Sequence, residues 1–179
     1  MSQHFFEKLI TNGLFKEFTV AQMETINAVL NECAKQGATI QQSAYIFATA
    51  YHECFNPRHP GTRLTPIVEF GGEKYLRSKK YYPYYGRGLS QLTWIDNYKK
   101  EAARLKIDLV NKPELILHIP TAANSHVYCM LKGVYTGRKL SDYIGPGKCD
   151  YMNARRIVNG MDRASLIAEY AKRFEAALA

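Results

Sequence analysis

The sequence predicts a mainly α fold, on three observations. Apolar residues recur at helical spacing along most of its 179 positions, capping residues open several of those stretches, and no run alternates convincingly enough for a strand. Thr19 opens one helix, with Gln22 three residues on in the capping-box spacing. Val20, Met23, Ile26, Leu30 and Cys33 are its expected apolar stripe, and Gly37 is placed to close it. Residues 43–54 are apolar nearly all round, as befits a buried central helix. Residues 56–88 break the pattern with four of the seven prolines and several glycines, leaving room for one short helix near 73–79. So long an irregular stretch inside a compact domain points to function.

Helical spacing then returns. Trp94, Tyr98, Ala102 and Leu105 share a face, with Thr93 a candidate cap. Pro113 suits a first helical position. Thr121 is expected to cap a helix carrying Val127, Met130, Leu131 and Val134. Asp150 is expected to cap residues 151–158, and Asp162 to start a last helix in which Leu166, Tyr170 and Phe174 pack inward. There is no repeat, linker or low-complexity tract, so residues 1–179 read as a single domain.

Composition is that of an ordinary globular chain with a basic balance: 24 Lys and Arg against 16 Asp and Glu, a net charge of +8. Such a surface attracts polyanions. The cations are scattered in pairs such as Lys79-Lys80 and Lys99-Lys100, with no helix-turn-helix or zinc-finger pattern, which argues against nucleic acid as a partner. Cys33, Cys54, Cys129 and Cys149 show no CxxC spacing, and nothing in the N-terminal run resembles a secretion signal. Free thiols and synthesis in a reducing cytosol are the expectation. His52, Cys54 and His59 match no structural zinc spacing, so no metal or cofactor is expected.

The chemistry centres on Glu53, at the end of the apolar run. Glutamate is rarely buried unless paired or functional, and an apolar setting would favour its protonated form, as a general acid needs. Glu69 and Glu73 follow in the irregular loop. Glycoside hydrolysis commonly uses two carboxyl groups, one to protonate the leaving oxygen and one to activate water. Tyr75, Tyr81, Tyr82, Tyr84 and Tyr85 crowd the same loop, and their amphipathic rings suit sugars, though two or more are expected to fill core beneath it. Gly86 and Gly88 flank Arg87 and would allow a tight turn and close backbone approach to a ligand.

The stretch 44–55, the block Tyr-Tyr-Gly-Arg-Gly-Leu-Ser-Gln-Leu-Thr-Trp-Ile-Asp-Asn-Tyr at 84–98, the segment 107–115 and Ala-Arg-Arg-Ile-Val-Asn-Gly at 154–160 together resemble glycoside hydrolase family 19, which holds plant-type chitinases and many bacteriophage endolysins. The resemblance implies a lysozyme-like, two-lobed fold with a substrate cleft between lobes, and an inverting mechanism. By position it makes Glu53 the general acid, Glu69 the second carboxylate with Glu73 the alternative, and Thr93 the hydroxyl that helps hold the attacking water. Gln91, Asn97 and Asn159 match sugar-contacting positions, and His52 and Tyr85 complete the expected sugar-binding set. Cys54-Phe55 and Leu89 depart from residues common in the family, which bears on cleft shape and leaves the acid in place. The compact, basic form is most like an endolysin: a muramidase made in a bacterial cytoplasm, released by a pore-forming holin, acting as a monomer on peptidoglycan in the periplasm or wall. Chitin is the alternative substrate, and a wall-binding protein without turnover the alternative class.

Overall fold

The computed structural model describes residues 2–179. Seven helices dominate them: α1 (Ser2–Thr11), α2 (Val20–Lys35), α3 (Ile40–Glu53), α4 (Gly72–Arg77), α5 (Ile95–Leu105), α6 (Ile119–Lys132) and α7 (Ala164–Leu178). The mainly α expectation holds. Two small antiparallel hairpins accompany them, β1 (Ile67–Val68) with β2 (Arg87–Gly88), and β3 (Ile144–Gly145) with β4 (Lys148–Cys149).

The central helix is α3. Thr39 caps it, with Gln42 returning the reciprocal bond, and ten of its residues in the unbroken run 42–51 are buried. It packs chiefly against α7, where the Phe47 and Phe174 rings stack at 5.3 Å and Tyr51 meets both Tyr170 and Phe174 edge-on. Helices α1, α2 and α6 supply the remaining walls of this larger core. A second, smaller core gathers Leu92, Tyr98, Leu109 and Ile116 around α5. Tyr135 packs against both cores, and its hydroxyl meets Ser90.

A polar network also ties α5 to the larger part. Arg104 grips the buried Glu101 through two bonds of 3.0 and 2.6 Å and donates at 2.7 Å to Asn124 of α6. Asn124 in turn donates at 2.8 Å to Glu32 of α2. Fully satisfied buried networks of this kind fix one arrangement of the elements they join.

Several sequence expectations need correction. The buried stripe of α2 is Gln22, Thr25, Ile26, Val29 and Cys33, whereas Val20 and Met23 face solvent. Gln22 is buried because its side chain is satisfied at both ends, accepting from the Thr19 amide and donating to the Arg63 carbonyl. Helix α6 begins at Ile119 with His118 at its cap, so Thr121 lies inside its first turn. Thr93 does not cap α5; the cap residue is Trp94. Pro113 opens a 3-10 turn (Pro113–Leu117), and the 151–158 segment is also 3-10, at Asn153–Ile157, with Asp150 accepting from the Asn153 amide. Helix α7 starts at Ala164 rather than at Asp162, and Leu166 points outward while Phe174 is buried. The four cysteines are free thiols, three of them buried. Among the described residues no helix is long and apolar enough to cross a membrane.

Candidate active site

Glu53 is the last residue of α3, where the partial negative charge of the helix C-terminus opposes a carboxylate. The apolar surroundings expected for it are not what it meets. The Arg155 guanidinium, itself buried, donates from Nη1 to Glu53 Oε1 at 2.7 Å, and its Nε donates to the Asp162 carbonyl. Arg155 comes from the 3-10 turn before α7, so the bond joins segments 102 residues apart. His52, the preceding residue, is half-buried. Burial lowers its pKa, opposed by Glu53 and reinforced by Arg155, which leaves a neutral ring at neutral pH.

Cys54 follows, fully buried. Burial holds its pKa far up, so the thiol keeps its proton and donates weakly to the Gly88 and Leu89 carbonyls, at 3.5 and 3.3 Å. That contact sets the end of α3 against β2. On one edge of β2 Arg87 exchanges both backbone bonds with Leu92, and on the other the strand pairs with β1, Ile67 opposite Gly88 and Val68 opposite Arg87. The pairing runs one step further, since the Glu69 amide donates to the Gly86 carbonyl at 2.7 Å. The residue after Glu53 and the backbone of Glu69 are therefore both tied to the segment Gly86–Leu89.

Glu69 is held at both oxygens. Tyr81 donates its hydroxyl to Oε1 at 2.6 Å and the Gly86 amide donates to Oε2 at 2.9 Å. Burial, with the bond to Glu69 adding, pushes the Tyr81 pKa up to about 12, so Tyr81 stays a donor. Glu73, the alternative, lies exposed on α4 and pairs with Arg77 at 2.7 Å.

The Gly-Arg-Gly block builds the floor. Arg87 is buried, its Nη1 donating to the Pro83 and Tyr85 carbonyls and to the Tyr98 hydroxyl, with the Tyr85 ring 3.6 Å from its guanidinium carbon. Tyr85 is thus committed to Arg87 on one side. Gln91, at φ +57°, folds back to donate to the Ile67 and Gly88 carbonyls. A Cβ on Gly86 would stand 2.8 Å from the Gln91 side-chain oxygen. The close approach expected at this glycine is made by Gln91. Thr93 donates its hydroxyl to the Gln91 carbonyl at 2.7 Å, and Asn97 donates to the Thr93 carbonyl at 2.8 Å. Glu69, Gln91, Thr93 and Asn97 form one connected neighbourhood around the β1–β2 hairpin. Asn159 is exposed, one turn beyond Arg155, whose carbonyl accepts its amide. Of the crowded tyrosines, Tyr84 packs on the smaller core and donates to the Val110 carbonyl.

Sequence reasoning did not single out Arg155 or Tyr81 as partners of the carboxylates. Arg155 carried no local signal that set it apart from Arg156, its exposed neighbour in the same turn.

Solved structures resemble this arrangement over the whole chain. A bacterial family 19 chitinase superposes with a TM-score of 0.61 at 20% identity, covering 99% of this chain and 94% of that one. The chain has the family 19 chitinase fold. A mutant of chitinase C (TM-score 0.59, 20% identity, 99% and 91% covered) and chitinase C from Streptomyces griseus (0.57, 19%, 99% and 76%) show the same fold. At this level of identity the family 19 likeness is one of architecture. No protein-family model and no curated protein matches the chain.

Proposed function

We propose that this protein hydrolyses β-1,4 glycosidic bonds of an N-acetylhexosamine polymer by an inverting, two-carboxylate mechanism. The observation that carries the reading is that Glu53 and Glu69 are each gripped by their own donors and are both tied to the segment Gly86–Leu89, through Cys54 and through the Glu69 backbone. Glu53 protonates the leaving oxygen, with Arg155 holding the carboxyl group at the helix end. Glu69 takes a proton from water. Thr93 gives its hydroxyl proton to the Gln91 carbonyl, so only its lone pairs face an incoming water. A water donating one hydrogen to Glu69 and one to Thr93 keeps its own lone pair for the anomeric carbon. Inversion requires the carboxyl groups to stand ~6.5–9.5 Å apart with that water between them. Gln91, which is pinned within the hairpin, acts by shaping the site; Asn97, Asn159, His52 and Tyr85 border the sugars.

Peptidoglycan is the proposed substrate and cell lysis the proposed role, with the protein working at the wall after release through a holin pore. The net charge of +8 supports an anionic polymer over neutral chitin, and Lys74, Arg77, Lys79 and Lys80 lie along the segment following Glu69. Chitin is the second reading, favoured by the solved structures of the same fold, whose names are those of chitinases. Mass spectrometry of the sugars released from purified sacculi and from chitin by wild type, Glu53→Gln and Glu69→Gln tests both. Reducing N-acetylmuramic ends, lost in both variants, are expected. Anhydro-muramic ends would make it a lytic transglycosylase, release from chitin alone would move the substrate, and no release from either polymer would sink the hydrolase reading.

A further inference from the structure

Three aromatic side chains stand out as exposed, and all three border Glu69. Phe70, its neighbour in sequence, is 48% exposed, Tyr75 is 42% exposed and Trp94 is 51% exposed. The other exposed large apolar side chains are aliphatic. Tyr75 is already engaged: a Cβ on Gly71, at φ +134°, would fall 2.1 Å from its ring, and the Lys79 ammonium stands over that ring at 3.9 Å. Trp94 meets the Tyr81 ring edge-on at 5.3 Å, and Tyr81 is the donor on Glu69 Oε1. Trp94 itself sits at φ +74°, a conformation that side-chain-bearing residues adopt at a cost and that recurs at functional sites. Its amide and carbonyl are fully used, by Tyr84 and by the Asn97 and Tyr98 amides, which locks the backbone in this conformation. An exposed tryptophan on a strained, locked backbone gains nothing for folding from its exposed face.

We propose that Trp94, with Phe70, is an aromatic platform that takes the apolar face of one N-acetylhexosamine ring beside the second carboxylate. The inference rests on the hydrolase reading and adds where the polymer lies. Aromatic rings offer broad apolar faces at little rotamer loss, which matches the C–H face of a pyranose.

Trp94 is the sole tryptophan, so its emission reports on this spot alone. The probes are chitotetraose and a tetrasaccharide of alternating N-acetylglucosamine and N-acetylmuramic acid. They are added to Glu53→Gln protein, whose amide oxygen still accepts from Arg155. Binding of either should shift the emission to the blue and shield it from acrylamide. Hydrolysis by Trp94→Ala should show a KM roughly tenfold above that of Trp94→Phe, an aromatic contact's share of affinity, at similar kcat. Calorimetric binding with unchanged emission and quenching overturns the platform, as does a Trp94→Ala variant with wild-type KM. So does binding of neither probe while wild type still cleaves sacculi or chitin. In each case the hydrolase reading stands. No cleavage of either polymer by wild type overturns that reading and the platform with it.

Discussion

Arg155 and Glu53 make the sharpest test at the scale of single residues. Removing one partner of a buried ion pair leaves the other uncompensated, a loss of about 3–5 kcal/mol. The Arg155→Ala protein should therefore melt roughly 6–20 °C below wild type, at about 2–4 °C per kcal/mol for a chain of this size. Glu53→Gln keeps an acceptor for Arg155 but removes its counter-charge, so it should melt between wild type and Arg155→Ala while losing roughly 100-fold or more in kcat, the usual contribution of a positioned acid. A Glu53→Gln variant that keeps wild-type kcat would show that the pair serves folding alone. Tyr81 offers a milder contrast. Phenylalanine there removes one hydrogen bond to a charged group, about 1.5–3 kcal/mol, so kcat should fall roughly 10- to 100-fold with KM little changed. Steady-state kinetics on soluble oligomers would read it. Glu53, Glu69 and Thr93 were visible in the sequence by residue type and by family resemblance. Arg155 was not, because a guanidinium and the carboxylate it meets are 102 positions apart and no local pattern joins them.

The helices were legible one by one, and the site hairpin was not. Helix α3 shows why: its capping box, unbroken apolar run and terminal glutamate all lie in one continuous stretch. Thr39→Ala should destabilise the protein by about 1 kcal/mol, measured by urea unfolding, because it removes the bond to the Gln42 amide. A loss several times larger would mean that the Gln42 bond to the Ile144 carbonyl fails with it. Strands β1 and β2, by contrast, are two residues each, too short for alternation to exist. Their pairing depends on Gln91 bonding across them and on Cys54 from α3 docking beneath. The α2 stripe was misread for a related reason: a helix read by hydropathy alone places Val20 and Met23 inward, and only tertiary contact reveals that Gln22 and Thr25 occupy that face.

For the molecule as a whole, acid should be the weak side. His126 of α6 is fully buried, its Nε2 donating to the Ile46 carbonyl and its Nδ1 without a partner among the described residues. Burial lowers its pKa to about 4, below the ordinary 6.5 of an unfolded histidine. The folded state is then neutral where the unfolded state binds a proton. The stability this group contributes is complete above pH 6.5 and is lost as pH falls toward 4, for about 3 kcal/mol in all. Thermal melts from pH 7 to 4 should fall in step, and His126→Leu should flatten that slope even while lowering the plateau. An equally steep slope in the variant would assign the acid sensitivity to the carboxylates.

The joint between the two cores has a mechanical meaning. Glu53 rides on the larger body, while Thr93 and Asn97 lead into the helix of the smaller one. Apolar faces can slip past each other by fractions of an ångström at little expense, but a chain of directional bonds from Glu101 through Arg104 and Asn124 to Glu32 has one register. The spacing between the two bodies is therefore set as a vice is, by a screw rather than by friction: on the hydrolase reading, four side chains that bear none of the proposed chemistry hold the halves of the site in one register.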